Sequence, residues 1–201
     1  MSFGRLSLTG LVSILTACAA TENYNPLEDY EQLTPVTRLE TPAARANSQF
    51  SEEEVNRGRY MVGLLGCGSC HTNGALVGTP DNSQLLAGYD TGIAYSNPLA
   101  NRNPGVVYPS NLTPDMDTGI GSWDVDDIIR MLQTGVDRHS GQTLPVMPWP
   151  SYANISAEDS RAIAGYLLSL PPVRHDVPEN VRPGQRATAP FVHFGVYQSR
   201  E

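Results

Sequence analysis

The five residues Cys67-Gly68-Ser69-Cys70-His71 constrain this chain more than any other feature. Two thiols at this spacing, followed at once by an imidazole, form the C-x-x-C-H run by which a c-type haem is attached. Thiols separated by two residues reach both vinyl groups of one porphyrin and add across them as thioethers. The next side chain offers a ring nitrogen to the iron from the proximal side. Other chemistries for the pair find little support. A structural zinc site wants four protein ligands, and the sequence holds no second C-x-x-C pair. A thioredoxin-like dithiol belongs in a βαβ setting, which a chain with 18 Gly and 16 Pro does not offer.

Composition agrees with a core built partly from something other than side chains. Of 201 residues, 40% are hydrophobic and 7% aromatic, low for one domain with extensions, and a covalent porphyrin would add apolar core. The net charge is −8 and all 13 basic residues are Arg, with no basic stripe, which excludes nucleic-acid binding as the expected role. With Cys67 and Cys70 committed to haem, only Cys18 of the three cysteines remains, so no internal disulfide is expected.

The beginning of the chain reads as an export leader. Arg5 precedes the apolar run Leu6–Leu15, too short to span a bilayer and of the length of a signal h-region. It runs into Leu15-Thr16-Ala17-Cys18, which resembles the bacterial lipobox, so residues 1–17 are expected to be removed and Cys18 to carry lipid. Ordinary cleavage at Ala17-Cys18-Ala19 is the competing reading. The protein is accordingly expected on the periplasmic side as a membrane-anchored lipoprotein. Residues 18–50 are rich in Thr, Asn, Pro, Glu and Ala without a helical or strand period, and are read as a flexible tether.

The remaining chain divides into a domain over 51–172 and a surface tail over 173–201. Ser51 and Glu54 predict a capping box, followed by an apolar stripe through Val55, Tyr60, Met61, Val62, Leu64 and Leu65 into the cysteine motif. Gly58 in this helix is read as a close-packing point. Residues 73–121 carry repeated Gly, Pro, Asn and Asp turn signals and predict irregular loops with at most a short hairpin. A second helix is expected over 123–133, capped by Ser122 and stopped by Gly135. Pro145, Pro148 and Pro150 predict an extended loop, and a last helix runs from Ser156 to Leu170.

An electron-transfer haem needs a second axial ligand. The candidates are His139, His175, His193, Met61, Met116, Met131 and Met147. Met61 and Met131 fall on helical stripes and suit the core. Met116 lies in an acidic turn, and the three histidines are expected to be solvated. Met147 lies between Pro145 and Pro148 in a stiff apolar loop, which suits a weak thioether ligand, and Met/His ligation is the cytochrome c arrangement.

The order helix, C-x-x-C-H, long loop, Met-Pro loop and final helix resembles the class I c-type cytochromes. The stretch Asn111-Leu112-Thr113-Pro114-Asp115, then Thr118-Gly119-Ile120-Gly121 and Trp123, is similar to the cytochrome subunits of bacterial periplasmic alcohol and sugar dehydrogenases. Those subunits often carry several haem motifs, whereas this chain has one. The resemblance spans about residues 51–172. It implies a mainly α, cytochrome c-like fold wrapped around one covalent haem c, with long irregular loops. It also implies that the first and last helices cross, bringing Gly58 against Tyr166, and that the loop from Asn111 to Trp123 closes over the haem propionates with Trp123 and Arg138 beside it.

The function expected is electron transfer without catalysis, with Cys67, Cys70, His71 and Met147 binding the haem and His71 and Met147 binding its iron. The partner would be a dehydrogenase or an oxidase. A haem enzyme or a gas or peroxide sensor with an open distal site is the alternative, and requires Met147 to be absent from the iron. Acids at 52–54, 115, 117, 124, 126 and 127 predict docking to a basic or neutral face.

Overall fold

A helix begins where a side chain can satisfy its first unpaired N–H groups, and Ser51 does so. In the computed structural model, which describes residues 39–98, 102–136, 141, 143 and 145–194, Ser51 Oγ accepts from the Glu54 N–H at 3.2 Å. The Glu54 carboxylate returns the contact by accepting the Ser51 N–H at 2.9 Å. This box opens α1 (Glu52–Leu64). The leader, Cys18 and the tether up to residue 38 lie outside the described residues.

Four further α-helices follow among the described residues: α2 (Cys67–His71), α3 (Val125–Thr134), α4 (Trp149–Tyr152) and α5 (Ala157–Leu168). The principal core lies where α1, α3 and α5 meet. Val62, Ile128, Leu132, Ile163, Ala164, Tyr166 and Leu167 are all buried there. α1 and α5 share the most extensive helix contact. Gly58 makes it possible, because a Cβ at that position would stand 2.0 Å from the Ala162 carbonyl oxygen and 2.7 Å from Tyr166 Cβ. The expected juxtaposition of Gly58 and Tyr166 is therefore present.

α3 starts two residues later than Ser122 predicts. Asp124 is its cap, with a capping box to Asp127, since a carboxylate there both accepts the Asp127 N–H at 2.8 Å and suits the positive end of the helix dipole. Gly135 ends α3 as expected, with φ +66°. The proline-rich loop also differs from expectation: Pro148 leads into α4, a single turn that accommodates Pro150 because the first-turn N–H groups need no helical acceptor.

The loops after α2 enclose a small sheet. β1 (Gly92–Ala94) pairs antiparallel with β2 (Val106–Val107), Ile93 opposite Val107. β3 (Phe191–His193) joins the other edge of β1 in parallel, Ile93 opposite Val192. The segment read as a surface tail is thus built into the fold: Val181 exchanges backbone hydrogen bonds with Val106, both at 2.8 Å. A second core forms around Ala94, Val106 and Tyr108, covered by Val177, Val181 and Phe191. No local period announces this, because each strand pairs with residues far away in sequence. The architecture among the described residues is helical with a three-stranded sheet, rather than helices and irregular loops alone.

Residues 39–50, read as the end of a tether, are packed. The Arg45 N–H donates to the Ser169 carbonyl at 2.7 Å, Tyr166 Oη donates to the Pro42 carbonyl at 2.8 Å, and Phe50 is buried against Gly165. Short apolar residues at irregular spacing can fill a groove between helices without a period of their own.

Candidate functional site: the Cys67–His71 turn and its surroundings

Gly66, with φ +69°, separates α1 from α2 and permits the turn between them without a Cβ clash. The short α2 then presents Cys67, Cys70 and His71 on little more than one turn. Gly68, the residue after the first cysteine, is crowded: a Cβ there would meet Leu39 Cδ2 at 2.6 Å. The N-terminal segment thus packs directly on the motif.

Both thiols are free and half-buried. Burial pushes the Cys67 thiol up to about 11 and that of Cys70 upward as well, which keeps both protonated at neutral pH. Tyr152 of α4 lies beside them. Burial first, then the proximity of the two cysteines, pushes its phenol up to about 12. Its hydroxyl makes a long hydrogen bond of 3.5 Å to the Leu65 carbonyl.

His71 is held from two directions. Its backbone carbonyl accepts the Gly88 N–H at 2.9 Å. Its ring Nδ1 lies 2.7 Å from the Ser110 carbonyl oxygen, which can only accept, so Nδ1 carries the proton. Burial holds the imidazole below its ordinary range, against the smaller opposing effect of that hydrogen bond. The outcome is a neutral ring with an unprotonated Nε2, the form that ligates a metal, oriented by a carbonyl bonded to its other nitrogen.

Met147 packs half-buried against the principal core, which Cys67 and Tyr152 also border. Its carbonyl accepts the Trp149 N–H at 2.8 Å. Trp149 in turn covers Gly135, where a Cβ would meet its Cδ1 at 2.3 Å, so the loop bearing Met147 is pinned to the end of α3. The other methionines behave as their sequence settings predict. Met131 is buried on α3, Met61 packs against the core, and Met116 is 69% exposed in its acidic turn. His139 and Arg138 lie outside the described residues.

His175 departs from expectation. Its side chain is 11% exposed rather than solvated, with Nδ1 at 2.8 Å from the Ala87 carbonyl and Nε2 at 3.0 Å from Asp90 Oδ1. It ties the segment after α5 to the loop after α2. Trp123 is half-buried and lines a cleft of about 690 Å³ with Phe50, Asp124 and Arg161. Cys67, Cys70, His71 and Met147 do not line this cleft. Among the described residues no group of three or more His, Cys, Asp and Glu side chains converges as a metal site.

The donor set fits a covalent haem: two unpaired thiols and a neutral, oriented imidazole on one helical turn. Sequence reasoning did not single out Ser110, Gly88 or Tyr152. Ser110 acts through a backbone carbonyl, which leaves no mark on residue type. Gly88, by contrast, carried a signal, a glycine in a turn-rich stretch.

No family model matches the chain. Three curated relatives to which it is similar are cytochrome subunits. The gluconate 2-dehydrogenase cytochrome c subunit of Pantoea cypripedii is 33% identical over 126 residues, 63% of this chain and 25% of that protein. The cytochrome c subunit of the quinone alcohol dehydrogenase of Gluconobacter oxydans is 32% identical over 124 residues, 61% of this chain and 23% of that protein. The fructose dehydrogenase cytochrome subunit of Gluconobacter japonicus is 27% identical over 167 residues, 83% of this chain and 28% of that protein. The chain spans about a quarter of the length of these relatives. It is similar to cytochrome c subunits of bacterial dehydrogenases, and the similarity supports a c-type cytochrome chain.

Proposed function

We propose that this chain is an electron-carrying domain that holds one haem c through thioethers to Cys67 and Cys70, with His71 and Met147 as axial ligands. A haem so held supplies a one-electron couple between Fe(III) and Fe(II). The observation that carries the reading is the His71 ring, held by the Ser110 carbonyl at 2.7 Å beside two unpaired thiols. That bond keeps the proton on Nδ1 and leaves Nε2 as the donor atom. A methionine in a loop pinned by Trp149 and Pro148 can offer a weak neutral ligand without a large entropy loss, and a thioether raises the potential.

The polypeptide transforms no substrate in this reading; it excludes water, fixes two ligands and presents a surface. The similarity to dehydrogenase cytochrome subunits supports a dehydrogenase as partner, in a bacterial respiratory or dehydrogenase-linked chain. The partner would meet the acidic residues with a basic or neutral face. Residues 1–17 would act as an export leader and Cys18 as the lipid-bearing residue, anchoring residues 51–172 at the periplasmic side of a membrane. Among the described residues no helix is long and apolar enough to cross a membrane.

The visible spectrum of the exported protein tests the ligand set. A weak far-red band in the oxidised state and no uptake of carbon monoxide by the reduced protein are expected, with both properties reversed in Met147→Ala. Ready carbon monoxide binding by the unaltered protein would favour the open-site enzyme or sensor instead.

A further inference from the structure

We infer that Asn111, braced by the backbone of Val173, is a positioning residue for His71, acting through the neighbouring Ser110 carbonyl; the inference rests on the haem reading above. Asn111 is 1% exposed, and a buried amide must find partners for both of its ends. It finds all of them. Its Oδ1 accepts from the Thr113 N–H at 2.9 Å and lies 2.8 Å from the Thr113 hydroxyl. Its Nδ2 donates to the Val173 carbonyl at 2.8 Å and to Thr118 Oγ1 at 3.1 Å. A backbone N–H at one end and a backbone carbonyl at the other leave only one orientation of the amide.

Thr113, also 1% exposed, doubles the brace. Its hydroxyl accepts the Val173 N–H at 3.0 Å and lies 3.2 Å from the Val173 carbonyl. The residues on either side of Ser110 are tied as well. Tyr89 N–H donates to the Pro109 carbonyl at 3.0 Å, and Leu112 N–H to the Leu86 carbonyl at 2.8 Å. The chain after α5 therefore reaches the His71 ring by a short path: Val173 to Asn111, Asn111 to Ser110, Ser110 to Nδ1. Gly88 sits where these strands of chain converge. A Cβ there would meet Val177 Cγ2 at 2.5 Å and the Asn111 nitrogen at 3.0 Å, so no side chain can intrude.

The consequence is electronic as well as structural. A carbonyl held close to Nδ1–H makes the imidazole a better donor at Nε2, which favours the oxidised metal. Loosening the carbonyl weakens that effect and raises the reduction potential. Asn111→Ala removes the brace, and Thr113→Val removes the hydroxyl contacts to Val173 and to Asn111 Oδ1 while leaving the Asn111 amide bonded to the Val173 carbonyl and the Thr113 N–H. Redox titration of the full-length, haem-loaded protein should show a positive shift for Asn111→Ala and a smaller one of the same sign for Thr113→Val. Ser51→Ala, which weakens the start of α1 elsewhere, should lower thermal stability and leave the potential unchanged. Unaltered potentials in the Asn111 and Thr113 variants, with only the thermal midpoint lowered, would overturn the inference and make Asn111 a structural residue alone. Should Asn111→Ala fail to fold, Thr113→Val decides by itself. An unaltered protein with no haem that survives denaturation would overturn the haem reading first, and the inference with it.

Discussion

The α1–α5 pair and the looped half of the molecule are held together by different means. α1 and α5 each start at a serine whose side chain accepts from an acidic residue three positions on. Their contact is shape-determined around Gly58 and Tyr166 and flanked by the ion pairs Arg57–Asp159 and Arg161–Glu54. The looped half, residues 72–121 with 173–194, relies on partners distant in sequence. Gly92 N–H donates to the Pro190 carbonyl at 2.9 Å, Val106 N–H to Val181 at 2.8 Å, and Leu86 N–H to the buried Thr72 hydroxyl at 3.1 Å. A long stretch with little regular structure is unusual inside a domain, and here these backbone groups find partners across the sequence. The helical pair supplies a scaffold, while the looped half supplies the carbonyl that orients His71.

Substitutions can separate the two. The largest effect is expected at Gly58, where alanine would drive a methyl into the Ala162 carbonyl and Tyr166. A loss of about 3 kcal/mol or more follows for such overpacking between rigid elements, and urea unfolding would measure it. Unchanged stability would mean that the helices do not pack as described.

Gly88→Ala attacks the other half. With φ +95° and three close neighbours, the strain should cost about 2 kcal/mol. Hydrogen exchange should quicken over 86–112 and 173–181 while α1 and α5 keep their protection. Equal loss of protection in both regions would show that they are not separable.

Tyr166→Phe removes only the hydroxyl that holds Pro42, worth about 1 kcal/mol. Exchange in 39–50 should quicken and the looped half should not respond.

The smallest effect concerns acid. The Ser51 N–H and hydroxyl hold Glu54 below the usual carboxylate range, Arg57 and then Ser156 do so for Asp159, and Thr118 for Asp115. Depressed carboxylates stabilise the fold above their unfolded values and cease to do so as pH falls through the folded ones. Stability should therefore decline on acidification below the ordinary carboxylate range, and Ser51→Ala should differ less from the unaltered protein there than at pH 7. A difference that grows in acid would contradict the capping account.

Much of the helical half was legible in the sequence. Ser51 with Glu54, Ser156 with Asp159 and Gly135 mark helix ends by local chemistry, and Gly58 marked a close contact. The cap of α3 was misplaced because Ser122 and Asp124 are both good caps and only the backbone decides between them. The sheet was legible only in part: the short hairpin allowed within 73–121 is present as the antiparallel β1–β2 pair, but its position and the third strand were not readable. Three residues of β1 and two of β2 carry too short an alternation to read, and β3 pairs with β1 across about a hundred residues. His175 and residues 39–50 were assigned to solvent by default, since single polar or small residues acquire partners only through the tertiary fold. Of the candidate site, Cys67, Cys70 and His71 announced themselves by spacing, whereas the Ser110 carbonyl had no side-chain signature.

The central proposal is that Cys67 and Cys70 hold a haem covalently, and its most direct test is extraction of the exported, full-length protein with acidified organic solvent after denaturation. The account predicts that the colour and the iron stay with the polypeptide, and that Cys67→Ser with Cys70→Ser releases both. Colour that passes into the solvent from the unaltered chain, or a chain that carries no haem at all, would contradict it.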